Sequence, residues 1–400
     1  MKKIYYALLF FFLLITAGFL IFLGLIFLKP GLFFGLDFFG GKNIFFQANT
    51  DNSLDSSLGI EPEILKKIFG FGTPANFLVL FLNNTELRPG GGFIGSYGVV
   101  KAESGRFEII KTEGSELLDF RAGEINEAPP WQLEEYLKIK NKNFRDSNWS
   151  PDFSFAAKES LDIYKEKNGV LADDINVVVG ITPDVLEKIL EILGSIEYDG
   201  VIYTSENFTE KLEYQVEYGY QEQGLDSSER KEIIGGLANL IFSQLKKDIL
   251  FNWKKYYLLF NELALEKQIV FYSTDINLQD YFENNNFAGR VKAGVSNEDY
   301  IFWVDANLGA WKTDASLDRE ITYKIRPTES GRYVAELEMN YIHNGRFDWR
   351  TSRYLSYVRI FVPIGSELIE VVGQEKSEKL NDLSLNSGLE MGVQDRKSVV

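Results

Sequence analysis

The stretch FLVLFLNNTELRPGGGFIGSYG at residues 77–98 decides the fold. Its first six residues are apolar on both faces, which is typical of a central strand in a covered sheet. The turn that follows carries Arg88, the first arginine of the chain, and three glycines at residues 90–92. Arginine binds phosphate bidentately, and a glycine-rich turn lets backbone N–H groups approach an anion. The stretch therefore indicates a candidate anion site at the end of a strand.

This turn also has a purely structural interpretation. Arg88 can simply pair with Glu86, two residues earlier. The glycines can serve only a tight turn that requires positive φ. The residues alone leave both interpretations open.

The elements after the turn alternate between strands and helices. Residues 93–102 and 106–112 predict a hairpin, because the intervening Glu103-Ser104-Gly105 is a turn sequence. Residues 175–181 predict a buried strand, and the helix after it begins at Thr182-Pro183 and ends at Gly194. Further helices are predicted from Ser150 and across residues 206–222 and 227–267, and further strands at 268–272 and 300–304. This alternation predicts a layered α/β domain.

The last part of the chain predicts a different domain. Residues 320–326, 333–341 and 354–362 are strand-like and alternate in polarity. They predict a small antiparallel β-sandwich, and we expect it to be incomplete in this chain because no closing element precedes Val400. The predicted organisation is an anchor at 1–29, a juxtamembrane segment at 30–75, an exported α/β domain at 76–312 and a β-rich domain at 313–400.

The N-terminal segment predicts delivery to a membrane. Residues 4–28 are uncharged and almost entirely apolar, and roughly 20 such residues cross a bilayer as a helix. Lys2 and Lys3 precede this run, so the N-terminus is expected to stay in the cytoplasm and the rest to be exported. A cleaved signal peptide is the alternative, but its apolar core spans about 7–15 residues before a small-residue site. The longer run without such a site favours an uncleaved anchor. Residues 33–41 lie either in the bilayer interface or in an irregular loop.

Composition excludes several kinds of chemistry. The chain has no cysteine, which excludes thiol nucleophiles, disulfides and thiolate metal sites. Its only histidine is His343, predicted on a strand or turn, so a Ser-His-Asp site is not expected and a multi-histidine zinc site is excluded. Any metal must be held by oxygens, which favours Mg²⁺, Ca²⁺ or Mn²⁺. The net charge is −16, which repels phosphate backbones, so nucleic-acid binding is not expected.

Four runs of the sequence resemble the bacterial family catalogued as domain of unknown function 4012. They are residues 83–98, RDSNWSPDF at 145–153, NFAG at 286–289 and VDANLGAWKTD at 304–314. The resemblance covers roughly residues 60–400, and it implies an anchored, exported bacterial protein without a settled activity. One departure is Gly90, where the family often has threonine, and this predicts a looser turn that lacks a hydroxyl contact.

The order of elements is more distantly similar to the LytR-CpsA-Psr family. Those exported proteins transfer glycopolymers from a polyprenyl pyrophosphate carrier to the cell wall, using arginines, aspartates and a divalent metal. This resemblance implies a LytR-CpsA-Psr-like α/β domain and places Arg88 near that family's first pyrophosphate-binding arginine. Phosphoryl transfer depends mainly on positioning and charge neutralisation, so it requires neither cysteine nor histidine.

The candidate site divides by role. The predicted catalytic residues are Arg88, Arg145 and Asp152; the substrate-binding residues are Asn84, Gly91, Gly92, Trp149 and Arg121; the metal ligands, for Mg²⁺, are Asp146 and Asp119. Each has a structural alternative. Asp152 can serve only to interact favourably with the dipole at the start of a helix. Arg145 and Asp146 can form a surface ion pair, and Trp149 can be a core anchor. Lys312 and Asp314, at the predicted domain junction, are interpreted as structural.

Three functions follow as hypotheses. The first is a Mg²⁺-dependent glycopolymer phosphotransferase of the cell envelope. The second is a non-catalytic module that binds a glycan or its lipid carrier, and the third is a structural envelope protein that interacts through its β-rich domain. A membrane and a polyprenyl-linked glycan are the expected partners.

Overall fold

The computed structural model describes residues 62–395 except 124, 223, 225–231, 293–297, 364, 374–375 and 381–388. The predicted anchor, residues 33–41 and most of the predicted juxtamembrane segment lie outside the described residues. Within the described part of the chain, no helix is long and apolar enough to cross a membrane. The described residues form a mixed α/β structure, as the sequence predicts.

The helices and the strands are numbered separately, each in chain order. The helices are α1 Pro62–Ile68, α2 Ser115–Ala122, α3 Trp131–Leu137, α4 Phe153–Glu166, α5 Asp184–Leu193, α6 Phe208–Tyr214, α7 Tyr220–Glu222, α8 Glu232–Leu265 and α9 Ile276–Asn284. The strands are β1 Ala75–Asn83, β2 Phe93–Glu103, β3 Arg106–Gly114, β4 Val177–Ile181, β5 Ile196–Tyr198, β6 Val201–Tyr203, β7 Ile269–Ser273, β8 Phe302–Asn307, β9 Leu317–Pro327, β10 Tyr333–His343, β11 Ser356–Val362, β12 Lys376–Leu380 and β13 Leu389–Asp395.

These elements form two compact units that interleave along the chain. The α/β unit comprises the described residues of 62–82, 94–123 and 153–290, and the β-rich unit comprises those of 83–93, 124–152 and 291–395. The sequence placed a domain boundary at residue 312, whereas here the Arg88 turn and residues 124–152 belong to the β-rich unit.

The α/β unit is built on a five-stranded sheet in the order β3-β2-β1-β4-β7. Strand β1 lies at its centre and pairs in parallel with β4, from Phe77 opposite Val177 to Phe81 opposite Ile181. Strand β7 adds antiparallel to β4. Leu78, Val79 and Leu80 are fully buried, which confirms the prediction of a central strand from the unbroken apolar run.

The hairpin of β2 and β3 also follows the prediction. Glu103 pairs with Arg106 across the turn. Ser104 and Gly105 both have positive φ, 52° and 78°, as a tight two-residue hairpin turn requires. The helices after β4 and β6 lie close to their predicted ranges, although residues 215–219 form one π-helical turn.

The β-rich unit holds two separate sheets. An antiparallel sheet has the order β12-β13-β11-β8, and β9 pairs with β10 in a ribbon that is two-stranded among the described residues. The ribbon runs from Tyr333 opposite Pro327 to His343 opposite Leu317. The sequence predicted these strands as one sandwich and assigned β8 to the α/β domain. Instead β8 pairs with β11, Phe302 lying opposite Phe361, because strand pairing is decided by residues far apart in sequence.

Candidate functional site

The Arg88 turn is a tight, internally bonded loop of the β-rich unit. The Asn83 side chain accepts hydrogen bonds from the Thr85 N–H at 3.1 Å and the Thr85 hydroxyl at 2.6 Å. The Gly91 N–H donates to the Arg88 carbonyl at 2.9 Å. Gly91 and Gly92 have φ of 110° and 148°. These glycines are therefore required by the backbone path itself, in line with the structural alternative for the triple glycine.

Arg88 points into the protein, and its side chain is only 2% exposed. Its Nη2 donates to the Glu86 carboxylate at 3.0 Å, and its Nη1 donates to the carbonyl of Asn307 at 2.7 Å. The guanidinium lies 5.4 Å from the centroid of the Phe93 ring. Only Nε lacks a hydrogen-bond partner among the described residues. The predicted pair with Glu86 is confirmed, and two guanidinium nitrogens are committed to the chain's own acceptors.

Glu86 is held in an unusual environment for a carboxylate. Burial raises its pKa above the ordinary value of 4.5, and the neighbouring Asp146 charge raises it further, while Arg88 and Lys312 oppose the shift. The pKa of Asp314 is shifted in the same direction: burial raises it, although the charge of Arg319 lowers it. Both acids thus bind protons more readily in the folded than in the unfolded chain.

This shift predicts a pH dependence of stability. A carboxylate whose pKa is raised by folding stabilises the fold fully below its unfolded pKa, and that contribution is lost as the pH rises through the folded pKa. Above pH 4.5, the free energy of unfolding of the wild-type chain should fall by at most about 1.4 kcal/mol per pH unit because of Glu86. We expect Glu86→Gln to abolish this fall. Urea unfolding at a series of pH values measures this slope. An unchanged slope in the variant would show that Glu86 does not titrate in this way.

Gly90 is tightly packed against the segment that follows α3. Its N–H donates to the Asn148 carbonyl at 3.0 Å. A Cβ at this position would lie 2.6 Å from that carbonyl oxygen and 2.8 Å from the Asn148 Cβ. The turn is therefore close-fitting at the position where the sequence predicted looseness, and the departure from threonine is explained by the proximity of Asn148.

Threonine at this position is expected to be harmful. Because the Cβ would meet backbone, Gly90→Thr should lower the free energy of unfolding by about 1–3 kcal/mol. Gly95→Thr is the matched control, since a Cβ at Gly95 would contact nothing within 4 Å. Urea unfolding of both variants measures the difference, and equal stabilities would contradict the steric account.

Asp146 ends a short 3-10 helix, Phe144–Asp146, and Asn148 follows it two residues later. Asp146 is buried and lies 3.6 Å from Nε of Arg145, whose side chain is 39% exposed. The Asn148 amide donates to the Gly92 carbonyl at 2.5 Å, and its Oδ1 is buried without a partner among the described residues. Asn84 lies half-buried in the turn itself. The structure thus brings Asn84, Arg88 and Asp146 into one region, with Arg145 at its surface.

Trp149 is half-buried and packs against the core of the β-rich unit. Its ring stacks on Tyr357 with a centroid separation of 6.1 Å, and the Arg359 guanidinium lies 5.5 Å from its centroid. The same guanidinium donates to the Trp149 carbonyl at 2.7 Å. These contacts match the core-anchor alternative. Asp152 is also buried, and its Oδ2 accepts the N–H of Val291 at 3.0 Å.

Asp119 and Arg121 lie in the other unit. Asp119 is paired with the buried Lys167 at 3.3 Å, and Arg121 holds Glu113 with two hydrogen bonds of 2.7 and 2.8 Å. The structure therefore divides the two predicted metal ligands between different units. Among the residues that the structure describes, no group of three or more His, Asp or Glu side chains is arranged to hold a metal ion.

A second buried network is centred on Arg319 and was not predicted from the sequence. Its Nε donates to Asp305 at 2.7 Å, and its Nη2 donates to Asp314 and, at 2.8 Å, to the hydroxyl of Tyr354. Asp314 also accepts the N–H of Leu87 at 3.0 Å, which confirms the structural interpretation of Asp314. The sequence pattern does not mark Arg319, because this residue occupies an ordinary position in an alternating strand. The acids that it binds lie earlier in the chain, in the run at 304–314.

His343 ends strand β10 as predicted. Its Nδ1 accepts the N–H of Gly345 at 3.0 Å, so Nε2 carries the proton and donates to the Ser352 carbonyl at 2.8 Å. Both ring nitrogens are thereby used in shaping the loop after β10.

Comparison with known proteins shows a match to one family over part of the chain. Residues 72–217 match the family described as protein of unknown function (DUF4012), which confirms the resemblance for that part of the chain. No curated protein matches at a significant level. Among solved structures, the transcriptional regulator yvhJ from Bacillus subtilis is similar over 57% of this chain and 85% of its own, at 11% identity. The TM-score is 0.28, and a similarity this low supports no argument about fold or function.

Proposed function

We propose, from the premise that residues 72–217 form a DUF4012 region, that this is an anchored envelope protein that binds glycopolymer without transferring it. The anchor would be residues 4–28, with the described units on the extracytoplasmic side. The proposal that the protein does not catalyse transfer rests on one observation, which is that Arg88 is bonded to groups of its own chain. The distinctive cation of the glycine-rich turn is buried and bonded to Glu86 and Asn307.

Binding a pyrophosphate at Arg88 would require those bonds to break. Separating the partners of a buried ion pair costs about 3–5 kcal/mol, because an uncompensated charge remains. A substrate would have to supply that energy before any stabilisation of a transition state. Arg88 is better suited to hold the turn in place than to exchange partners during each catalytic cycle.

Trp311 supports binding to a glycan. Its side chain is 42% exposed, and it lies in the run that resembles the family, at residues 304–314. Its carbonyl accepts the amide of Asn307 at 2.8 Å, and the next residue donates to the carbonyl of Arg350 at 3.0 Å. An exposed aromatic ring on a fixed backbone offers a large apolar face at little entropic cost. Such a surface suits the apolar face of a sugar ring.

The test uses the full chain in detergent with a polyprenyl-pyrophosphate-linked oligosaccharide and Mg²⁺, and separately with the same oligosaccharide lacking the carrier. We expect binding of both probes without release of polyprenyl pyrophosphate. Trp311→Ala should weaken binding about tenfold, the typical effect of losing an aromatic anchor. Tyr333→Ala, which removes an exposed ring of the β9–β10 ribbon, is the matched control and should bind normally. Failure of both probes to bind would overturn the proposal.

Transfer from the lipid carrier is the second candidate function. It is favoured by the Nε–H of Arg88, which is buried without a partner among the described residues, in a turn whose Glu86 interacts with Asp146. Arg145→Ala separates the candidates, because Arg145, with a side chain that is 39% exposed, is the accessible cation beside the buried Asp146. Mg²⁺-dependent release that this variant abolishes would establish transfer and contradict the non-catalytic proposal.

A further inference from the structure

The loop after strand β10 is unusually basic for this chain. Residues 344–353, NGRFDWRTSR, carry three arginines and one aspartate, and we call them the basic loop. Its backbone is fixed from within, because Oδ1 of Asp348 accepts the N–H groups of Arg350 and Thr351 at 2.9 and 3.1 Å. The bond from the Arg350 N–H is the main reason that the pKa of Asp348 lies below its ordinary value. Asp348 therefore holds the shape of the loop as an ionised carboxylate.

The basic loop is bonded to the segment that carries Trp311. The N–H of Lys312 donates to the carbonyl of Arg350 at 3.0 Å. A Cβ at Gly309 would lie 3.0 Å from the carbonyl oxygen of Arg353. Trp311 thus lies between two points at which its segment meets the loop, one residue from the first and two residues from the second.

Exposed aromatic rings and exposed cations occur together on these two segments. Phe347 is 53% exposed and Trp311 is 42% exposed. Arg346 and Arg353 are exposed as well. Within the described part of the chain, neither of these two arginines forms an ion pair. Both guanidinium groups are therefore available to an anion from outside the protein.

The charge of this surface is opposite to that of the chain. Residues 309–313 and 344–353 hold four cations and one acid, a net charge of +3, whereas the whole chain has −16. Asp318, which accepts the amide of Asn344 at 2.9 Å, lowers the local excess to +2. A local excess of one sign attracts ligands of the opposite sign, so this surface favours an anionic ligand.

We propose that residues 309–313 and the basic loop together bind an anionic glycopolymer, whose repeating unit carries a carboxylate or a phosphate group. This inference rests on the proposed function and adds the charge class of the polymer. Arginine binds both groups bidentately, and the rings of Trp311 and Phe347 offer apolar faces to sugar rings. Because the loop is fixed by its own hydrogen bonds, little conformational entropy is lost on binding.

A charged sugar polymer fits this surface better than a denser polyanion does. Double-stranded DNA carries one charge per about 1.7 Å, and the acidic remainder of the chain repels such a charge density. A glycan with one anion per repeating unit brings fewer charges close to that remainder. It also supplies the rings that an exposed tryptophan can contact.

The test compares dextran, carboxymethyl dextran and dextran phosphate of one length, which share a backbone and differ in charge. Binding to the full chain in detergent is measured by titration calorimetry at low and at high salt. At low salt, both charged polymers should bind about tenfold more tightly than dextran, and this difference should shrink as salt screens the charges. Linear polyphosphate, which has charge but no sugar, should bind more weakly than dextran phosphate.

Paired substitutions locate the binding surface. Arg346→Ala combined with Arg353→Ala should weaken the binding of both charged polymers about tenfold, the effect of losing two exposed charge contacts. Arg346→Lys combined with Arg353→Lys keeps the charge and should retain most of the binding. Arg326→Ala combined with Arg332→Ala is the matched control, because it removes the same charge from exposed arginines of the β9–β10 ribbon. This control should bind normally.

Three outcomes would overturn the inference. They are dextran binding as tightly as its charged forms, equal weakening by the two alanine pairs, and polyphosphate binding as tightly as dextran phosphate. Each of them leaves the proposed function intact as long as the oligosaccharide without its lipid carrier still binds. If neither that oligosaccharide nor any dextran binds, the proposed function fails and this inference fails with it.

Discussion

Arg88→Ala is expected to lower the free energy of unfolding of the β-rich unit by about 3–5 kcal/mol, the usual effect of removing one partner of a buried ion pair. The variant leaves the Glu86 carboxylate buried without its cation, and the carbonyl of Asn307 without its 2.7 Å donor. Because Glu86 can then take up a proton, the loss should shrink as the pH falls towards 4.5. An arginine that only binds substrate would show neither the loss nor its pH dependence.

Tryptophan fluorescence during urea unfolding measures this effect with useful selectivity. The chain has six tryptophans, and Trp253 alone lies in the α/β unit. A Trp253→Phe background therefore makes the signal specific for the β-rich unit. Arg332→Ala is the matched control, because its pair with Glu367 at 3.3 Å is exposed and such pairs contribute about 0–1 kcal/mol. A loss at Arg88 no larger than at Arg332 would contradict the structural role.

The layered part of the fold was predictable because its signals are local. An unbroken apolar run marks a strand buried on both faces, and β1 and β4 both have one. The turn at Ser104-Gly105 and the end of the helix at Gly194 depend on residues whose own backbone preferences determine the local conformation. Gly194 indeed has φ 84°. Such features need no knowledge of what the segment will contact.

The β-rich unit was only partly predictable because its pairings are distant. Alternating polarity identifies a strand but not its partner, so neither the pairing of β8 with β11 nor the isolation of the β9–β10 ribbon could be inferred. The Arg88 turn shows the same limit on a smaller scale. Its pair with Glu86 spans two residues and was foreseen, whereas its bond to Asn307 spans 219 residues and was not. The roles proposed for Asp119 and Asp146 likewise depended on a proximity that sequence alone does not contain.

Arg319→Met is the second substitution for which a large effect is expected, again about 3–5 kcal/mol of unfolding free energy. Arg319 holds the buried carboxylates Asp305 and Asp314, and its guanidinium lies 5.7 and 5.5 Å from the ring centroids of Tyr341 and Tyr354. Methionine fills similar volume but leaves both acids without a cation. Arg319→Lys keeps the charge but loses the planar fork, so its loss should be intermediate.

The location of the damage distinguishes this network from a general loss of packing. Asp314 also accepts the N–H of Leu87, and Arg319 itself lies in β9, so the network joins the ribbon to the Arg88 turn within one unit. Hydrogen exchange should therefore accelerate in β9, in β10 and at the amide of Leu87, while the α/β sheet keeps its protection. Adding Asp314→Asn to Arg319→Met should recover part of the stability, because it removes one uncompensated charge. Uniform acceleration across both units, or no recovery in the double variant, would show that the charges of this network do not hold the ribbon and the turn together.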